Sequence, residues 1–565
     1  MENDINVPPP PPSPKQRALV FQGGGSLGAY EAGVYHVIYH WFKKDLQDNE
    51  NVFDIIAGTS IGAINASIII NNFLENKEND KNTEAAAASV DDDKNSNTLK
   101  YWEGSPEKLL NFWKKISSYS TFYDSILSFI KNSWDLNKSI AAQMFPYSQY
   151  FIDSLVSGES LRRYYSTKKR IVRGEPYVFD PLFIPPFPTL WFNKFFDFSP
   201  NSAWWYQYSN LPLKKSILDF APKLEYDDYY EKGGIKTSVN HNEPRFLLVA
   251  ADIKTAKPET FDSFDNKNGI TINHVLASAA IPINYPYMEI NENKYWDGGI
   301  LSNTPVRELI SSHTTFWTKK YESNLDSVLD EERKLTFDKW DEFYKLQQTP
   351  NIPDLSLTIV NLHPELEKGN HIPSLYDYDM TKDREKDIRF HDKTDYDIKL
   401  AQNISDYYDF VAQMTDLANN AIKEISKNND KENNAKSTKK DNQNNSLKTE
   451  FEKIINYQQR TRTRENTPRY FYDLIDKRFD IIDVLKIQRK DDKHTISDKI
   501  FDFSQESVSG LINEGIYDSL DKIYQEEKDK EFFKKWFNGY REDIEKQNIK
   551  EILNPVLQFK EKKGL

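Results

Sequence analysis

Residues 52–64 read Val52-Phe53-Asp54-Ile55-Ile56-Ala57-Gly58-Thr59-Ser60-Ile61-Gly62-Ala63-Ile64. The first six form an apolar run of strand length, and from Ile61 the spacing predicts an apolar helix to about residue 73. Between them, Gly58-Thr59-Ser60-Ile61-Gly62 spells G-x-S-x-G, the pattern of a nucleophile elbow. The chemistry explains the spacing. Ser60 has to sit on a tight strand-to-helix turn, and Gly58 and Gly62 let the neighbouring backbone pass. The helix N-terminus then favours negative charge developing beside the serine.

Upstream, residues 17–21 (RALVF) predict a buried strand and residues 29–43 a helix, joined by Gly23-Gly24-Gly25-Ser26-Leu27-Gly28. Seven of the 20 glycines (23, 24, 25, 28, 33, 58 and 62) fall in this region. The loop contains G-x-G-x-x-G, with Asp45 or Asp48 about 20 residues further on, as in a Rossmann-type dinucleotide fingerprint. Its other reading is a cradle of backbone N–H groups for an oxyanion. Downstream, strands are predicted at 246–251, 357–362 and 481–487 and a helix at 270–280. Trp296-Asp297-Gly298-Gly299 is either a plain turn or a carboxylate held rigid by glycines to take the proton of Ser60. Strands alternating with helices predict an α/β fold with a mainly parallel sheet.

The 565 residues carry a formal charge of −13, without the basic footprint of a nucleic-acid binder. Cysteine is absent, which removes disulfides, thiolate nucleophiles and Cys-ligated zinc. Residues 1–16, with Pro8 to Pro12 in a row, predict a disordered lead. They show no secretory leader, and no stretch reaches the ~18 apolar residues of a spanning helix. The expectation is a cytoplasmic protein, peripheral at membranes at most. One domain is expected over 17–525. Its inserts at about 76–98 and 426–447 are too polar to bury much. A further insert at 182–208 holds eleven aromatic residues among four prolines, read as a satellite core or a membrane contact. Residues 526–565 predict a charged, helical, exposed tail.

In this order, the glycine loop, the G-x-S-x-G serine and the D-G-G aspartate resemble the patatin-like phospholipases. Ala277-Ser278-Ala279-Ala280-Ile281-Pro282 is similar to the family's segment before its aspartate strand, and residues 246–261 to the strand preceding that segment. Residues 501–520 are similar to the closing segment of long bacterial members. The resemblance implies a patatin-like three-layer fold with inserts and a helical C-terminal extension. It implies a lipid acyl hydrolase of phospholipase A or lysophospholipase type, acting on lipid or lysolipid; no cofactor or metal site is expected, and no Asp/Asn-rich calcium loop is evident. By position, Gly23, Gly24, Gly25 and Gly28 would form the oxyanion loop, Ser60 the nucleophile and Asp297 the base. Gly58, Gly62, Gly298 and Gly299 would support them. One departure is Leu27, where many members carry a basic residue.

Other arrangements leave more unexplained. Dinucleotide binding gives Ser60 and Asp297 no role, and a non-catalytic scaffold would not need both intact. A Ser–His–Asp triad would draw on His313 or His363, which follow Asp297 in the chain. His36 and His40, at i and i+4 on one helix face, have a metal-binding spacing, but no third ligand is evident from the sequence.

Overall fold

The computed structural model describes residues 15–86, 98–118, 158–182, 208–227, 232–265, 269–332, 352–364, 378–407, 479–490, 496–547 and 550–565, with a few positions between 410 and 470. The aromatic residues 183–207, the insert at 426–447 and residues 1–14 lie outside the described residues. Contacts divide the chain into two units. One comprises residues 17–308, 357–393 and 485–565, and the other 1–16, 309–356 and 394–484. Residues 309–356 and 394–484, expected within a single domain, thus group apart. In that second unit Leu355 N–H donates to Asp480 O and the Ser405 hydroxyl to Phe479 O.

The elements that build the site are β1 (Lys15–Phe21), α1 (Gly28–Lys43), β2 (Ile55–Thr59), α2 (Ile61–Ala86), α3 (Ser105–Ile116), β3 (Arg245–Asp252), β4 (Lys257–Asp262), α4 (Ile272–Ser278), β5 (Met288–Ile290), β6 (Asn293–Asp297), β7 (Asp354–Asn361), α5 (Tyr378–Phe390), β8 (Ile481–Gln488), α6 (Gln505–Glu526), α7 (Lys530–Gln547) and α8 (Lys550–Lys563). The main sheet runs β8-β7-β1-β2-β3-β6-β5, with β4 also paired to β3. Its centre is parallel: β1 lies beside β2, and β2 beside β3. β4 and β6 are antiparallel to β3, and β5 to β6. Every residue of β2 is buried, as expected of a parallel strand covered on both faces.

Register sets the site. Thr59, the last residue of β2, pairs with Val249, and Asp297, the last residue of β6, pairs with the next residue, Ala250. β4 pairs along residues 247–252 of β3, so β2, paired to 245–249, and β6, paired to 250–252, share the other edge of β3 and meet end to end. Ser60, the residue after Thr59, and Asp297 therefore meet where the two strand ends abut.

Two expectations are corrected. α2 does not stop near residue 73 but runs to Ala86. Polar residues 76–86, expected to be disordered, extend a helix already nucleated in the core, where propagation is cheap. They are tied by Lys77–Glu243 (2.8 Å), Asp80–Lys100 (2.8 Å) and Glu78–Lys223 pairs. Residues 87–97 lie outside the described residues. The C-terminal segment is helical but not an exposed tail. Phe533, Phe537, Tyr540, Ile544, Ile552, Val556 and Phe559 are all buried in the main core.

Candidate active site

Ser60 occupies the single position between β2 and α2, with φ of +56°. A non-glycine residue there is uncommon and marks a backbone held by its surroundings. A Cβ on Gly58 would run into the backbone of Gly62, so the elbow closes only with glycine at that crossing. Ser60 N–H donates to Ser278 Oγ (2.9 Å), and the Ser278 hydroxyl donates to Val249 O (2.6 Å). Thr59 Oγ1 donates to Ser302 O (3.0 Å). The elbow is thus tied to β3, to the end of α4 and to the loop after β6.

The Ser60 hydroxyl donates to Asp297 Oδ2 at 2.7 Å, and both residues are buried, 7% and 5% exposed. The other carboxylate oxygen, Oδ1, accepts Gly299 N–H at 2.7 Å. Burial raises the Asp297 pKa from 3.8 to about 6, against the opposing bonds from Ser60 and Gly299. Gly298 lies so close to Val249 O that a Cβ would collide with it.

The four glycines of the first loop do not share one role. Gly23, Gly24 and Gly25 line the same cavity as Ser60 and Asp297, of about 280 Å³. Gly28 does not line it. Its N–H is taken by the carbonyls of Gly25 and Ser26, and its Cα packs against Ile61 and Trp113. Gly28 therefore serves helix packing, a correction to its expected place in the oxyanion loop. Gly23 N–H is also engaged, donating to Asn303 O at 3.1 Å. Gly25 has φ of +58° beneath Ile500. Leu27, where family members often carry a base, is simply buried in the core.

Residues the sequence did not single out hold this loop. Gln22 Nε2 donates to Thr304 Oγ1 (2.7 Å), while its Oε1 accepts Leu362 N–H (2.7 Å) and His363 N–H (3.0 Å). Asn303 Nδ2 donates to Gly23 O (3.1 Å) and Phe390 O (2.8 Å). The Ser26 hydroxyl donates to Lys499 O (2.8 Å). Asn303 follows Asp297 by six residues and Gln22 directly precedes the glycines, but an isolated amide carries no periodic signal.

Ile281, Pro282, Phe390, Ile500 and Phe501 give the cavity an apolar wall; Lys386, Arg389 and Lys499 also line it, paired with Asp498, with Glu385, and with Asp383 and Asp387, respectively. His363 also lines it, but its Nδ1 pairs with Asp387 (3.0 Å), and the Ser60 hydroxyl goes to Asp297 instead. His313 belongs to the other unit and bonds through Nε2 to Pro353 O (2.8 Å). The triad reading has no geometric support. Nor has the dinucleotide reading: Asp45 and Asp48 follow α1 and precede β2, at the end of the parallel strands opposite the glycine loop.

No curated protein sequence matches the chain. Among solved structures, VipD from Legionella pneumophila aligns over 97% of this chain and 79% of its own length, at 10% identity and a TM-score of 0.25, a likeness too distant to carry an argument. The family model described as patatin-like phospholipase matches residues 19–310, from β1 past the Asp297 turn. That span covers more than half of the chain, which therefore belongs to the patatin-like phospholipase family.

Proposed function

We propose that the protein is a serine lipid acyl hydrolase that cleaves carboxylic esters with Ser60 as nucleophile and Asp297 as base. The observation that carries this reading is the buried 2.7 Å hydrogen bond between Ser60 Oγ and Asp297 Oδ2, at the wall of a cavity faced by Gly24 and Gly25. Asp297 takes the hydroxyl proton as Ser60 Oγ bonds to the ester carbonyl carbon. The carbonyl electron pair moves to oxygen, which accepts the N–H groups of Gly24 and Gly25. Collapse expels the alcohol, which takes its proton from Asp297 and leaves an acyl-serine. Water, deprotonated by the same carboxylate, then releases the fatty acid and restores Ser60. A pKa near 6 suits this work: Asp297 is a stronger base than an exposed carboxylate yet still ionised at pH 7. Each oxyanion donor in such sites contributes about 3–4 kcal/mol.

The substrate class is read from the family and from the apolar cavity wall, which suits an acyl chain. Peripheral membrane contact through 182–208 stays part of the proposal. Among the described residues no helix is long and apolar enough to cross a membrane. A fluorophosphonate probe should label the wild-type chain and not Ser60→Ala. Ser60→Ala and Asp297→Asn should each lose at least about 10⁴-fold in ester turnover while keeping wild-type circular dichroism. Undiminished turnover in either folded variant refutes the dyad.

A further inference from the structure

α1 turns His36 and His40 to the same side, one helical turn apart, with ring centroids separated by 5.0 Å. Glu107, in the first turn of α3, comes up against them. One ligand atom from each of the three residues lies within 4.8 Å of the others. His36 is fully buried. Its Nδ1 stands 2.9 Å from the Tyr540 hydroxyl on α7, but its Nε2 has no hydrogen-bond partner among the described residues. A buried polar atom left without a partner is costly, so the bare Nε2 calls for a ligand.

We propose that His36 Nε2, His40 and Glu107 form a binding site for a divalent transition metal of the zinc class, which ties α1 to α3. Two imidazoles and a carboxylate are a zinc donor set, whereas calcium and magnesium take oxygen ligands. With its proton on Nδ1, His36 donates to Tyr540 Oη and presents the Nε2 lone pair. Such an outer hydrogen bond orients a ligating imidazole. His40 and Glu107 are only partly buried. That opening gives the ion an entry path and leaves its fourth position to water. Zinc ligand atoms bound at about 2.0–2.1 Å stand roughly 3.4 Å apart in a tetrahedron, so side-chain adjustment alone closes the cluster. His36 lies about 12 Å along α1 from Gly28, and the site serves stability rather than the Ser60 chemistry.

The test uses the full chain, stripped with a chelator and titrated with Co²⁺ and then Zn²⁺. One equivalent of Co²⁺ should bind, with the visible absorption of a four- or five-coordinate nitrogen–oxygen site, and Zn²⁺ should displace it and raise Tm. His40→Gln and Glu107→Gln should each weaken binding by at least about 10-fold, with circular dichroism and fluorophosphonate labelling unchanged. X-ray absorption at the zinc edge of the wild-type protein should show scattering from two imidazoles, which tests the site even if a variant fails to fold. No uptake, uptake indifferent to both substitutions, or a zinc shell without imidazole overturns the proposal and leaves His36, His40 and Tyr540 as aromatic packing.

Discussion

In the proposed mechanism, Asp297 links catalysis and stability with opposite signs. To take the proton of Ser60 it must be ionised, so kcat/KM on a soluble ester should rise with pH through about 6 and level off above it. A profile already flat from pH 4.5 upward would contradict the raised pKa. For stability, burial favours the protonated carboxyl in the folded state. The contribution is fully present below the ordinary value of 3.8 and lost as pH rises through about 6. Asn at this position cannot ionise and can still accept Gly299 N–H. Asp297→Asn should therefore be more stable than wild type at pH 8, by up to about 3 kcal/mol, with no such gain at pH 3.5. Denaturant titrations at the two pH values check this, and equal stability at pH 8 would count against it. Ser60 and Asp297 were legible in the sequence because glycines mark both turns. Ser278, Asn303 and Gln22 were not: their partners lie 218, 280 and 282 residues away and are chosen by strand register.

The helices show where composition misleads. Residues 526–565 look like solvated helix by charge, yet Phe533, Phe537, Tyr540 and Ile544 recur at three- and four-residue spacing and are buried. The stripe was present in the sequence, and the surrounding lysines and glutamates masked it. Each large apolar side chain so buried contributes about 1.5–3 kcal/mol. A chain ending at Glu526 should lose cooperative unfolding or solubility, whereas an exposed tail could be removed without effect. α6 is seated by close backbone approach to α1: a Cβ on Gly33 would strike Ile512 O, and one on Gly515 would strike Tyr30 O. Gly33→Val and Gly515→Val should each lower stability by at least about 1–3 kcal/mol. Gly510, also in α6 but with open space around it, is the control. Gly510→Ala should stabilise by about 0.5–1 kcal/mol, and thermal melts separate the three.

At the scale of the molecule, the α/β class was readable because parallel core strands are short apolar runs between helices, a signal carried locally. β4 and β5 pair with their chain neighbours β3 and β6 across short turns, Asp252 opposite Lys257 and Ile290 opposite Asn293, in strands too short or too exposed to carry a clear period, whereas the pairing of β6 with β3 and the division into two units join distant segments. The site's approach surface is likewise a product of folding. Ile283 is 75% exposed, Ile300 and Leu301 are also exposed, and the neighbouring Ile281, Pro282 and Ile300 line the cavity that holds Ser60. If the proposed substrate is a lipid, it has to leave a bilayer, whereas a soluble ester reaches the cavity from water, and an apolar rim set against a membrane would lower the cost of that transfer. The formal charge of −13 opposes anionic surfaces, so the rim should matter most on zwitterionic vesicles. Replacing an apolar contact worth about 1.5–3 kcal/mol with a charge should reduce turnover there about 10- to 100-fold. Ile283→Glu and Leu301→Glu should show that loss on phosphatidylcholine vesicles while turnover of a short-chain soluble ester stays within about twofold. Equal losses on both substrates would mean that the substitutions disturb the Ser60–Asp297 pair itself, and no loss on either would mean that lipid enters by another face.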